Sequence, residues 1–456
     1  MRSLALLGML SCSIAQASAQ VAAPSTAPLP NGVWQSAGYG YLIVVDGGQI
    51  QSYDLSSAGC VRGDRYRADA FHALYGSVVG STHGDTVVLL RPPTRDLLLR
   101  RASAPSCRAP SRRVDPTVTF DHFTATFATH YPFFAERGVA WAPAVAAARA
   151  RVTTSTSDDS LFAVLRDLVT PLADGHVSLE GGSRRHDAER IIAPGSAPDG
   201  TPWAWGSLRA ALRGWLAGPT TPLVDSLRFA GNRRLLYGRL PGSIGYLAVL
   251  AEGGWGNGQT DETPASVHVA TVAQVLDSVL SDLGPVRGLV VDLRVNSGGF
   301  DAVSLELASR FAAAPAVAYL KSARGLDGET PRYAVSVEPS ARRRVTGPLA
   351  VLIGANTVSA GETAALTLAA LPHACLIGQP TRGILSDAIP RVLPNGWRFT
   401  LPIEITRWPD GRLVEVAGVA PAIRTPAPST SAPEELFGHA LTRALTWLNS
   451  ARASCT

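Results

Sequence analysis

The stretch Leu349-Ala350-Val351-Leu352-Ile353-Gly354-Ala355-Asn356-Thr357-Val358-Ser359-Ala360-Gly361-Glu362 decides the fold. Its first five residues are apolar without interruption, the pattern of a strand buried on both faces, and Ala360 to Leu371 reads as a helix. Upstream the alternation repeats: a strand at Ile244-Gly245-Tyr246-Leu247, a helix from Ser266 to Leu283, a strand from Gly288 to Leu293 and a helix from Ala302 to Ala312. Apolar strands alternating with helices predict an α/β layer fold in which helices cover a mainly parallel sheet. A last amphipathic segment carries Leu436, Ala440, Ala444, Leu445 and Leu448 on one face and should dock on that core.

Outside this region the texture changes. Residues 32–112 read as a small β-rich domain, with apolar runs at Tyr41-Leu42-Ile43-Val44-Val45 and Thr86-Val87-Val88-Leu89-Leu90 divided by glycine turns. Residues 113–185 read as a helical subdomain, where Phe120, Phe123, Phe127, Tyr131 and Phe134 recur at helical spacing and are assigned to core packing. The Pro- and Gly-rich stretch 186–236 reads as irregular linker, and 426–456 as a C-terminal helix and tail. The chain starts with Arg2, an apolar run from Leu4 to Leu10 and Ala17-Ser18-Ala19, the layout of a signal peptide over 1–19 followed by a linker over 20–31. Export to a periplasm or the exterior is therefore expected, with lipid anchoring at Cys12 as a weaker reading. Removal of the leader leaves Cys60, Cys107, Cys375 and Cys455, an even set that suggests disulfides in three allowed connectivities.

Composition narrows the function. With 46% apolar and 17% charged residues in 456, the chain has a core to build, and a net charge of +5 from dispersed basic residues gives no nucleic-acid footprint. Beyond the leader no apolar run approaches the roughly 20 residues of a membrane helix. No His-Glu-x-x-His, Cys-x-x-Cys or calcium-type loop occurs, so neither metal nor cofactor is expected. One detail discriminates further: of 41 basic residues a single one, Lys321, is lysine.

Three segments could carry chemistry. Ser359 caps the helix beginning at Ala360, where its hydroxyl meets the free N–H groups of the first turn; Glu362 three residues on also fits an ordinary capping box. Leu293-Arg294-Val295-Asn296-Ser297-Gly298-Gly299 ends a buried strand in two glycines, which lets backbone N–H groups face a ligand. Leu172-Ala173-Asp174-Gly175-His176-Val177-Ser178 holds a histidine beyond a tight turn.

Together with Gly378-Gln379-Pro380-Thr381-Arg382-Gly383 and Asp410-Gly411-Arg412 through Glu415 to Pro421, these segments occur in the order found in one family. From about Phe120 to Leu448 the chain resembles the serine peptidases that include carboxy-terminal processing peptidases, the tricorn core and the repeats of interphotoreceptor retinoid-binding protein. The resemblance implies a crotonase/Clp-like ββα core over 237–425, peptide or protein substrates, and Ser359 as nucleophile. The branch that pairs serine with a downstream lysine has no counterpart here, because Thr381 to Ser386 contains arginine, whose high pKa keeps it protonated and unable to act as a base at physiological pH. Lys321 lies upstream, so a Ser–Lys dyad requires an unexpected topology. The tricorn-like arrangement remains, with His176 as base and Glu415 as its orienting carboxylate. Oxyanion donors are the N–H of Ala360 and of either Gly298 or Gly299.

Two departures bear on this reading. The interval from Gly181 to Leu235, about 55 residues, is short of the roughly 80–100 of an inserted PDZ-type module. Alanine follows Pro421 where relatives commonly have aspartate. The competing functions are a carrier of hydrophobic ligands on the same fold, as in the retinoid-binding members, and an esterase or acyl-transferase using the same serine.

Overall fold

Seven strands form the central sheet in the order Arg228–Ala230, Leu235–Leu240, Ile244–Val249, Gly288–Asp292, Leu349–Ile353, Ala374–Gly378, Ile423–Arg424. From Ile244–Val249 onward the neighbours are parallel, with Val290 opposite Ala350 and Val351 opposite Leu376. The computed structural model describes residues 28–80, 85–188, 204–218, 223–428, 432, 434–450 and 455. The leader 1–19, Cys12 and most of the 20–31 linker lie outside the described residues.

Strand periodicity divides the core into two layers. Leu247, Val249, Leu289, Val291 and Val351 face the helices Ala265–Leu283, Asp301–Ser309 and Ala360–Ala369. Tyr246, Ala248, Val290, Ala350 and Leu352 face Trp205–Ala217 and His439–Asn449. Each fully buried aliphatic side chain contributes about 1.5–3 kcal/mol, which explains why the strands are uninterruptedly apolar. The α/β architecture expected from the alternation is the one the structure has.

The stretch read as irregular linker differs from that reading. It contains the helix Trp205–Ala217 and the edge strand Arg228–Ala230. Leu208, Leu212, Trp215 and Leu216 make a buried stripe along the helix, at helical spacing interrupted to the eye by Gly206 and Gly214. The aromatic stripe also changes character partway: the helix is Pro116–His130, and Tyr131 and Phe134 lie beyond it, after which Pro132 cannot continue the helix.

The N-terminal strands form a second seven-stranded sheet, running from Gly59–Arg67 through Gly32–Ser36 to Ser77–Gly80. Buried polar contacts dock it on the core. Tyr39 Oη donates to Glu404 Oε1 at 2.8 Å, and the Arg391 guanidinium donates to the carbonyls of Tyr39 and Gly40 and to Asp54. Cys60 is bonded to Cys107 and Cys375 to Cys455, so one bridge closes the β domain and the other fastens the tail to a central strand.

Candidate active site

Ser359 stands where strand Leu349–Ile353 has ended and helix Ala360–Ala369 begins, at the carboxyl ends of the parallel strands, the usual ligand crevice of an open α/β sheet. Its backbone has φ 56° and ψ −127°, far from the extended conformation of an ordinary N-cap and rarely adopted by residues with a side chain. Such a conformation costs about 1–3 kcal/mol and persists only where neighbours impose it. Here Ser359 N–H is held by the Ile384 carbonyl at 3.0 Å, and Val358 N–H by the Asn296 carbonyl at 3.1 Å.

Glu362 does more than complete a capping box. Its carboxyl accepts from Thr381 Oγ1, from the N–H groups of Gly383 and Ile384 at 2.7 and 2.8 Å, and from Ser359 N–H at 3.3 Å. It therefore clamps the serine turn to segment 381–386. Glu415 is the second buried clamp, accepting from Leu385 N–H at 2.9 Å and Ser386 N–H at 3.1 Å.

The two glycines are distinguished by their partners. Gly298 N–H donates to Asn296 Oδ1 at 2.9 Å, and Asn296 Nδ2 donates to Glu252 Oε1 at 2.9 Å. Gly298 N–H is thus occupied, whereas the N–H groups of Gly299 and Ala360 carry no hydrogen bond among the described residues. The approach is close enough to require glycine: a Cβ on Gly298 would stand 2.6 Å from Ser359 Cβ, and the residue has φ 82°.

His176 is half-buried just before strand Ser178–Gly181, which pairs with Arg398–Pro402. Its N–H donates to Asp174 Oδ1 at 3.0 Å, and its carbonyl accepts from Thr400 Oγ1 at 2.7 Å, so both ends of the peptide unit are fixed. Arg137 lies 3.4 Å from Asp174 and 3.7 Å from Glu415, linking the histidine turn to the glutamate. His176 Nδ1 and Glu415 Oε1 are each buried without a hydrogen-bond partner.

Ser359, His176, Gly298 and Gly299 line one cavity of about 860 Å³, whose opposite wall is the N-terminal sheet, including Tyr41, Tyr66 and Arg91. Glu415 and Ala360 lie behind that lining, both buried. Sequence reasoning missed Asp387, which lines the cavity, is paired with Arg91 at 3.2 Å and is held below the ordinary carboxylate range; burial opposes that shift, but Lys321, Arg91 and His176 outweigh it. It missed Asn296 and Glu252 as well; an asparagine two residues before the paired glycines was the available signal. Lys321 is buried with its Nζ 2.6 Å from Glu404 and 3.1 Å from Asp301. Burial pulls its pKa down, yet these carboxylates prevail and hold it well above the ordinary value, so it remains an ammonium. No cluster of three or more metal-ligating side chains occurs among the described residues.

Burial raises several carboxyls: Glu252 to about 8, Glu362 and Asp96 to about 7. These groups keep protons in the folded chain that the unfolded chain has lost, so they lower stability as pH rises from about 4.5 to about 8. His122 and His130, buried neutral with pKa lowered to about 4 by burial, act in the opposite direction between about 4 and 6.5. Above pH about 6.5 only the carboxyl contribution still changes. Urea midpoints should therefore fall from pH 6.5 to pH 8, by on the order of 1–2 kcal/mol of stability. A flat or rising midpoint contradicts the assigned proton placements.

Residues 254–425 match the family described as Peptidase family S41. A putative peptidase from Parabacteroides merdae aligns with a TM-score of 0.60 and 20% identity, covering 74% of this chain and 98% of that one. Mature CPAF, solved in complex with lactacystin, aligns with a TM-score of 0.50 and 12% identity, over 74% of this chain and 98% of that one. At these identities the two solved structures show a shared fold. No curated protein sequence matches at a significant level.

Proposed function

We propose, for a chain that carries a peptidase family S41 domain over residues 254–425, that Ser359 is the nucleophile of an exported serine peptidase with His176 as its general base. The observation that carries this reading is the shared cavity: a strained serine, a histidine and the glycine strand end face the same space. Ser359 Oγ attacks the peptide carbonyl while His176 takes its proton, and the imidazolium then donates that proton to the leaving amine. The N–H groups of Gly299 and Ala360 hold the oxyanion, since Asn296 already engages Gly298. Water then hydrolyses the acyl-enzyme with His176 again as base.

Glu415 orients the imidazole. Burial pushes its carboxyl well above the ordinary range, with Asp174 adding to the effect, because nearby positive charge does not compensate it fully. An imidazolium on His176 supplies that compensation, and its unpartnered Nδ1 is the complementary group to Glu415 Oε1. Export is supported by the leader-like N-terminus and by two disulfides, which persist in oxidising compartments.

Labelling with a fluorophosphonate probe tests the assignment. The parent should label, and both Ser359→Ala and His176→Ala should not. Labelling that survives unchanged in both variants rules the reading out. An unlabelled parent that binds a hydrophobic ligand stoichiometrically and cleaves no peptide establishes the carrier instead.

A further inference from the structure

Buried arginines in this chain are generally neutralised. Arg294 is paired with Asp292 at 2.6 Å and Arg310 with Asp277 and Glu306 at 2.6 and 2.8 Å. Two half-buried arginines beside the glycine strand end depart from that pattern. Arg209, on helix Trp205–Ala217, donates through Nη2 to the Leu250 carbonyl at 2.6 Å and to Ser297 Oγ at 2.7 Å. Ser297 immediately precedes the two glycines and lines the cavity. Arg234 lines the same cavity; its carbonyl accepts from Leu250 N–H at 2.8 Å, and its guanidinium lies against Gly254.

Neither arginine has a carboxylate within ion-pair distance among the described residues, and the Nε of each is buried with no hydrogen-bond partner. Burial, then the charges of Arg234 and Arg213, lower the Arg209 pKa to about 10, and no carboxylate offsets them. Of the acids that line the cavity, Asp387 is paired with Arg91, Asp54 with Arg391, Asp64 with Arg398 and Asp301 with Lys321, Asp96 accepts from Ser36 and Tyr41, and Asp261 stands beyond ion-pair distance of either arginine. Glu252, two residues beyond the Leu250 carbonyl that Arg209 holds, is occupied by Asn296 and keeps its proton to about pH 8 because of burial.

A partly desolvated positive charge with free donors is left uncompensated until an anion meets it. Planar guanidinium groups suit carboxylate in particular, which they can bind through two parallel hydrogen bonds. We infer that Arg209 and Arg234, with the field of Arg213, form a carboxylate-binding subsite next to the glycine strand end, and that the enzyme selects peptides bearing a carboxylate there. The inference rests on the peptidase reading for its meaning but not for its test. The carboxylate has two sources, an Asp or Glu side chain or the free C-terminus of the substrate, and the recognition chemistry is the same for both.

Binding to the Ser359→Ala protein separates these cases without turnover. Three dye-labelled octapeptides of otherwise identical, neutral sequence are compared by fluorescence anisotropy at low salt: one with an internal Glu and an amidated end, one with Gln and a free carboxylate end, one with Gln and an amidated end. At least one carboxylate form should bind about tenfold or more tightly than the fully neutral peptide, as expected for a charge-assisted pair. Which form does so identifies the source. The preference should shrink to within about twofold when Arg234→Gln is added, and it should weaken with salt. Arg213→Gln, outside the glycine contacts, should reduce it in part and guards against a folding defect in Arg234→Gln, as does the thermal midpoint of each variant. Equal affinity for the three peptides, including no measurable binding of any, overturns the subsite. Fluorophosphonate labelling of the parent is read in parallel: discrimination that persists without labelling leaves the subsite standing and removes the peptidase reading.

Discussion

Replacing Ser359 by alanine should lower peptide turnover by about a millionfold while the chain still folds, the size of effect expected when the nucleophile of a covalent mechanism is removed. The residual rate reflects oxyanion donors and binding alone. Ser359→Gly carries a second expectation that a merely structural N-cap would not produce. Glycine adopts φ 56° without the steric cost that serine meets, so relief of strain should raise stability by about 1 kcal/mol even as activity vanishes. An ordinary capping serine replaced by glycine would change stability by only a few tenths, and downward. Turnover on one substrate and urea unfolding of the three proteins check both points. Activity in Ser359→Ala above about one percent of the parent would falsify the nucleophile assignment.

The largest loss of stability should follow Lys321→Ala. The ammonium is 2% exposed and lies between Glu404, fully buried, and Asp301. Removing it leaves two carboxylates out of water with their mutual repulsion uncompensated, a defect of about 3–5 kcal/mol. Glu404 also accepts from Tyr39 and Thr94, so the same substitution loosens the seat of the N-terminal sheet. Lys321→Met combined with Glu404→Gln should recover a substantial part of the loss, because neutralising both partners removes most of the buried charge. Denaturant unfolding monitored by tryptophan fluorescence measures both variants. A single-variant loss below about 1 kcal/mol would mean that solvent reaches this network.

What was readable in the sequence was local. Leu349 to Ile353 and Gly288 to Leu293 are apolar because both sheet faces are covered, so run length alone located the strands. The same logic placed Ser359 at a strand-to-helix turn. The solitary lysine could be counted without a structure, although its companions could not, since Glu404 and Asp301 lie 83 and 20 residues from it by subtraction of their numbers. The misread helix Trp205–Ala217 shows the limit of inspection: Gly, Pro and Arg around it suggested a linker, while the stripe Leu208, Leu212, Trp215 and Leu216 carried the opposite message. Glu252, Asp387 and Arg137 were invisible as site residues for a different reason. Each acts through a partner brought in by tertiary packing, and no spacing rule reports such a pairing. The disulfides follow the same division, with the thiols countable and their pairing set only when strand and tail meet.

The seat of the N-terminal sheet has a consequence for what can be a substrate. Tyr39 and Arg391 fix that wall through buried hydrogen bonds, and the space between wall and serine is about 860 Å³. A volume of that class admits a short extended strand and excludes a packed domain. Entry then depends on the conformational freedom of the client: a chain segment already loose, or one that opens by local fluctuation, reaches Ser359, and a well-ordered one does not. Selectivity of this kind acts as a sieve on foldedness, so the same target sequence would be durable within a native protein and short-lived once that protein frays.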